Sequence, residues 1–313
     1  MEYRTLGKDG PQVSALSLGS WRTFEEMTRE DGAAVMVAAR EAGIDFLDDA
    51  RYDDHTGSAP IPSGYSEVVF GELFRMSGWS RDETVVANKL WWEYWPQQGA
   101  VEEIQQSLGR MGFEHVDLIY AERPPENAPL EEILEGVSEV LEAGLARYWG
   151  VLNWSAALTA ECLPLCDAYG LSHPVATQLP YSLVRRSIVE DPAMQAALSE
   201  GGTSVVASSV LDSGALSGKY TVGDAAGRLT GRTDGPSVRA AIAASATLNA
   251  FCAERGVAPA AVAIAFALRE PSVGSVLFGA TRPDQIAANV GSLQVLDTLT
   301  NADWAALSEL FAA

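Results

Sequence analysis

The sequence predicts an α/β chain folded as a (β/α)8 barrel with an N-terminal β-hairpin and a C-terminal helix. Three observations predict it: short β-rich runs alternate with amphipathic stretches, there are eight of each, and 313 residues suit that architecture. A doubly wound open sheet is the competing arrangement for the same alternation.

The elements follow in order. YRTLGKDGPQVSAL reads as two alternating segments around a Gly-Lys-Asp-Gly-Pro turn, a hairpin placed to plug the bottom of a barrel. The strand runs are ALSL (15–18), IDFLD (44–48), ETVVAN (83–88), VDLIY (116–120), ARYWGV (146–151), PVATQ (174–178), TSVVAS (203–208) and SVLF (275–278). Helical segments lie near 30–42, 66–77, 99–111, 130–143, 155–169, 190–200, 237–255 and 283–291, each with apolar residues at three-and-four spacing. Thr28 and Ser155 cap helix starts, Ser80 turns the chain into a strand, and Gly43, Gly144 and Gly170 follow helix ends. NADWAALSEL forms the terminal helix with Thr300 or Asn301 as its cap, and the Gly-rich segment 221–236 reads as a long loop within the barrel. No interdomain linker interrupts the alternation, so residues 1–313 are expected to form a single barrel domain of the TIM type.

Composition narrows the function classes. Forty-two acidic against 21 basic residues give a formal net charge of -21, which repels nucleic acid and anionic membrane surfaces and discounts both as partners. No apolar run reaches the roughly eighteen residues of a membrane span, and MEYRTLGKDG lacks the regions of a signal peptide, so a soluble, cytoplasmic protein is expected. Cys162, Cys166 and Cys252 are expected as buried thiols, and neither they nor His55, His115 and His173 have metal-ligand spacing.

Working residues of such a barrel gather at the carboxyl ends of its strands. Lys89 follows the apolar run VVAN, where an unpaired ammonium is expensive, and Asp48 ends the preceding strand beside it. Such a pair is expected to lower the pKa of a neighbouring tyrosine and prime it as a general acid, although a salt bridge closing the barrel top would use the same two residues. Asp49 alternates to the other face and is expected to have a solvated or loop role. No GxGxxG occurs, so a dinucleotide needs another cradle. Gly279-Ala280-Thr281-Arg282-Pro283 ends the last strand and opens a helix, offering N–H groups, a hydroxyl and a guanidinium to a phosphate, with Gln285 and Asn289 on one face of that helix. The run Leu90-Trp91-Trp92-Glu93-Tyr94-Trp95-Pro96 is rich enough in aromatic rings to line a substrate pocket through Trp91 and Trp92, with Tyr65 as a third wall, although packing over the barrel rim or an oligomer contact would use the same rings.

Taken together, YRTLGKDGPQVSALSLGSW, GIDFLDDA, YSEVVFGELF, VVANKLWW, HVDLIYAERPP, RYWGVLNWS, LDSGALSGKY and SVGSVLFGATRPDQIAANVGSLQVL resemble the aldo-keto reductases, in the branch that includes the voltage-gated potassium channel beta subunits. The resemblance implies an NADPH-dependent oxidoreductase with a tetrad of Asp, Tyr, Lys and His. Asp48 and Lys89 match it. The tyrosine is implied five residues after the aspartate, where this chain has Asp53; Tyr52 and Tyr65 are both candidates, and Tyr52 is preferred because it stays in the loop directly after the strand. Glu122 stands at the histidine position, as in the family's steroid double-bond reductases, and is read as a neutral acid donating to a developing oxyanion.

For the cofactor the resemblance implies Asn153 and Gln178 on the nicotinamide carboxamide, with Leu152 in place of a serine and Gly19, Ser20 and Trp21 nearby. Ser208 replaces a stacking aromatic, so stacking is expected either from elsewhere, with Tyr181 as the candidate, or to be weaker. Ser209, Leu211, Gly214, Leu216 and Lys219 match the pyrophosphate loop, and Gly279, Thr281, Arg282, Gln285 and Asn289 the adenine and 2′-phosphate site, where Arg282 favours NADPH. The expected substrate is a bulky ketone, aldehyde or conjugated enone. A cofactor-sensing regulatory subunit is the alternative, disfavoured because the chain opens directly on the hairpin; the oligomeric state stays open.

Overall fold

A computed structural model describes residues 1–221 and 236–311. The chain opens with β1 (Tyr3–Thr5) and β2 (Gln12–Ser14), an antiparallel hairpin with Arg4 opposite Val13. Eight parallel strands then close into a barrel in chain order: β3 (Leu16–Gly19), β4 (Phe46–Asp48), β5 (Val85–Leu90), β6 (Val116–Glu122), β7 (Ala146–Leu152), β8 (Ala176–Pro180), β9 (Ser204–Ser208) and β10 (Val273–Phe278), which returns to β3. The surrounding helices are α1 (Arg29–Glu41), α2 (Tyr65–Met76), α3 (Ala100–Met111), α4 (Leu130–Glu142), α5 (Ala156–Tyr169), α6 (Pro192–Gly201), α7 (Pro236–Arg255), α8 (Pro259–Leu268), α9 (Pro283–Val290), α10 (Ser292–Thr298) and α11 (Asn301–Leu310). No single helix among the described residues is long and apolar enough to cross a membrane.

The hairpin does plug the barrel. Leu6 and Val13 are buried in one apolar cluster with Phe46, Ala87, Leu118, Tyr120 and Val206, and Lys8 N donates to Gly202 O at 2.7 Å just before β9 begins. Apolar side chains from alternate strand positions thus fill the lower barrel, as the two-residue side-chain period requires. Gly150 is needed in that layer: a Cβ there would lie 3.1 Å from the Tyr120 ring and 2.4 Å from Ala176 O.

Three local expectations change. Helix α8 was not anticipated, because Ala261–Leu268 is buried all round and an all-apolar helix carries no amphipathic period; the short α10 was missed as well. Strands β5 and β6 run further than expected, so Lys89 and Glu122 lie inside the ladder, opposite Tyr120 and Leu152. Backbone pairing is indifferent to a polar side chain at the mouth, whereas the apolar pattern ends there. The caps agree: Thr28 and Ser155 accept from Asp31 N and Leu158 N, and Thr300 forms a reciprocal box with Asp303. Of the loop expected at 221–236, residues 222–235 lie outside those described.

Candidate active site

The ends of β4, β5 and β8 place three polar side chains in contact inside the mouth. Lys89 Nζ donates to Asp48 Oδ1 at 2.6 Å and to the Tyr52 hydroxyl at 3.0 Å, and Gln178 Nε2 reaches across the barrel to Asp48 Oδ2 at 2.9 Å. Lys89 and Asp48 are both about 2% exposed, so the ion pair is desolvated and each charge depends on the other. Burial works against the Lys89 ammonium, but Asp48 and Tyr52 together outweigh it and hold the pKa above that of an ordinary lysine.

The phenol does not behave as the sequence implied. Burial raises the Tyr52 pKa, and the pull of Lys89 toward phenolate is partly cancelled by the charges of Asp48 and Asp49, so the net shift is upward. The lysine charge is already neutralised by Asp48 at 2.6 Å, which leaves burial to win. Because Lys89 donates to the tyrosine oxygen, the phenolic proton is free to point elsewhere. Beside Lys89 in register, the buried Tyr120 phenol is also held neutral, by burial and by Asp48.

Asp49 turns to the opposite face of β4, as alternation requires, yet it is not solvated. It is completely buried between barrel and helices, accepts from Ser20 Oγ, and has its pKa pushed up by burial and by Glu67. Glu67 on α2 is also fully buried, bonded to Asn88 Nδ2 at 2.9 Å and Arg110 Nε at 2.5 Å. The sequence reading did not name this network; the spacing of Asp49 and Asn88, each next to a mouth residue on its strand, was the available signal.

Glu122 is half-buried. Asn153 Nδ2 donates to its Oε2 at 3.3 Å and Arg123 Nε lies 3.6 Å from its Oε1, but burial dominates and raises its pKa above the usual carboxylate value. The aromatic run divides. The Trp91 ring meets Tyr52 edge-on at 6.0 Å, and Trp21, 47% exposed, lies 6.5 Å from Tyr52 on another side. Trp92, in contrast, is buried in the core around the barrel and donates from Nε1 to Glu122 O at 3.1 Å, so it supports the mouth from behind. Tyr65 begins α2 and gives its hydroxyl oxygen to Arg29 Nη2 at 3.0 Å, away from Lys89. Tyr181 likewise packs outward, against Phe266 at 5.6 Å and bonded to Glu190, so it is not in place to stack on a nicotinamide.

The remaining residues fit a dinucleotide by donor chemistry and backbone shape. Asn153, Ser209 and Gly214 have positive φ beyond β7 and β9, which turns the chain sharply at the mouth. Leu216 is buried under the turn, Lys219 Nζ stands over the Tyr220 ring, and the turn is tied by Arg185 to Asp212 at 2.8 Å. Ser208 ends β9, while Leu211 is half-buried. At the other end, Gly279 and Thr281 precede α9, Gln285 Oε1 accepts from Thr281 N at 2.7 Å, and Asn289 is buried on the same helix. Arg282 is largely exposed and forked onto Asp284 at 3.0 and 3.1 Å. Gly19 and Ser20 are buried at the end of β3, beneath Trp21. A separate cavity of about 370 Å³, lined by residues that include Tyr181, Arg186, Phe266 and Trp304, shares none of the mouth residues.

A sequence model of the Aldo/keto reductase family matches residues 15–312. Among curated proteins, the chain is similar to a probable voltage-gated potassium channel subunit beta of Oryza sativa subsp. japonica, 31% identical over 96% of this chain and 93% of that protein. It is also similar to a probable voltage-gated potassium channel subunit beta of Arabidopsis thaliana, 30% identical over the same shares. With eight parallel strands closed into a barrel and the match spanning nearly its whole length, the chain belongs to the aldo/keto reductase family, oxidoreductases of carbonyl compounds.

Proposed function

We propose that this chain, acting as a single barrel domain, is an NADPH-dependent reductase of a carbonyl or a conjugated enone on a bulky small molecule. The observation that carries the reading is the contact of Lys89 Nζ with both Asp48 and the Tyr52 hydroxyl. Tyr52 is the general acid: Lys89 donates to its oxygen, so its own proton faces the substrate oxygen, and as that proton leaves, the ammonium stabilises the phenolate left behind. Asp48 keeps Lys89 charged and Gln178 keeps Asp48 oriented. Glu122, with its raised pKa, serves as a neutral acid that donates to a developing oxyanion.

Asn153 and Gln178 would hold the carboxamide end of the cofactor, Ser209 and Lys219 its pyrophosphate, and Thr281 and Arg282 its 2′-phosphate. When bound, the reduced nicotinamide supplies the hydride. Trp21 and Trp91, set around Tyr52, offer flat apolar contact to the substrate. The test is to mix the purified protein with NADPH and a panel of ketones, aldehydes and enones, following absorbance loss and product mass. Turnover of none of them would remove the reading.

The names of the rice and Arabidopsis relatives favour a second reading, a cofactor-sensing subunit of a larger assembly with slow turnover. A pull-down beside the turnover assay separates the two.

A further inference from the structure

Arg51 immediately precedes Tyr52, and its side chain is only 9% exposed. Its Nη2 lies 2.6 Å from Glu93 Oε2 and 3.9 Å from Glu103 Oε1, its Nη1 donates to Ser63 Oγ at 3.0 Å, and the guanidinium stands 5.6 Å from the centre of the Tyr94 ring. Glu103, in the first turn of α3 and 6% exposed, accepts from Trp91 N at 2.8 Å and Trp92 N at 3.3 Å. Trp92 has φ near +60°, a left-handed conformation that a bulky residue keeps only where its surroundings hold it.

A single guanidinium therefore joins the loop that carries Tyr52, the segment around Ser63 and the loop that carries the Trp91 wall. Its planar fork allows this, because a lysine would bring one compact charge and no geometry for several partners at once. Without it, the buried Glu103 would lose its nearby cation and Glu93 its partner, and the aromatic loop would lose its tie to the loop that carries Tyr52.

We propose that Arg51 is a positioning residue which, through Glu93 and Glu103, sets the spacing between the Tyr52 and Trp91 rings and so governs how well a bulky substrate seats against Tyr52. The inference rests on the reading of Tyr52 as the proton donor. Its structural half, that Arg51 holds the two rings at 6.0 Å, does not.

The test compares Arg51→Met, Arg51→Lys and Glu93→Gln in the full chain, with NADPH and two substrates, a small aliphatic aldehyde and a bulky aromatic one. In Arg51→Met the ratio of kcat/KM for the bulky over the small substrate falls about tenfold, mainly through KM, with smaller falls in the other two variants. Loss of folded protein alone would lower both substrates in parallel, so a ratio that is unchanged or raised in all three variants overturns the proposal. A crystal structure of Arg51→Met gives a readout independent of turnover: rings that have moved apart support it, and rings still 6.0 Å apart overturn it even if no aldehyde is reduced. Full activity in Lys89→Met would instead remove the role of Tyr52 and leave the ring separation as its own measurement.

Discussion

Lys89 Nζ donates to the Tyr52 hydroxyl at 3.0 Å while remaining 2.6 Å from Asp48, so the ammonium is shared between a carboxylate that keeps it charged and a phenol. Lys89→Met removes the donor and keeps most of the stem. It is expected to lower kcat by about 10²- to 10⁴-fold, the usual worth of a proton-transfer group, while NADPH binding followed by protein fluorescence changes little. Full turnover in this variant would end the tetrad assignment.

Asp48 has a structural duty of its own. Asp48→Ala leaves a buried, unpaired ammonium and is expected to cost about 3 kcal/mol or more in urea unfolding, and adding Lys89→Met recovers part of the loss. A double variant that loses the sum of the two single losses would mean that the charges do not depend on each other.

On the proposed reading, Glu122 selects between the two bonds of an enone. Because burial raises its pKa, it carries its proton above the usual carboxylate range, and this acid function is present at low pH and lost as pH rises through the raised value. Carbon–carbon reduction should therefore decline across that window, and Glu122→Gln should lack the decline. Glu122→His should shift product toward the allylic alcohol; product mass with an unchanged ratio would count against the assignment.

Asp49 provides a stability test. A carboxyl whose folded pKa is raised binds more protons folded than unfolded, so its contribution weakens as pH rises from the unfolded value of 3.8 toward the raised folded one. Asp49→Asn removes the titration. The variant should show a stability relative to the parent that improves from pH 4 to pH 8, with thermal midpoints at the two pH values as the measurement.

The exposed Arg282–Asp284 pair bears on cofactor choice. Such exposed pairs are weak, so a phosphate dianion can displace the carboxylate, and Asp284→Asn should tighten 2′,5′-ADP binding by no more than about fivefold. Arg282→Ala should weaken 2′,5′-ADP far more than 5′-ADP in calorimetry. Equal losses for both would place the 2′-phosphate elsewhere.

Much of the protein is legible along the chain because its signals are local. The β/α alternation, the hairpin and the helix caps rest on side-chain periods and on hydrogen bonds a few residues apart, and Asp48 and Lys89 stand where apolar strand runs give way to charge. Helix α8 escaped because burial on every side erases the period.

What the chain could not reveal is set by partners distant in sequence. Along the chain Tyr52 is preferred to Tyr65 only for its place directly after the strand, and it is folding that brings Tyr52 to Lys89 and Tyr65 to Arg29. Asp49 looks like a surface acid until helix α2 covers it with Glu67, and Trp92 looks like a pocket wall until its left-handed backbone turns it into the core. The sign of the Tyr52 shift follows the same logic. Proximity to a lysine can be guessed from spacing, but the desolvation that outweighs it depends on how tightly the whole mouth closes around the phenol.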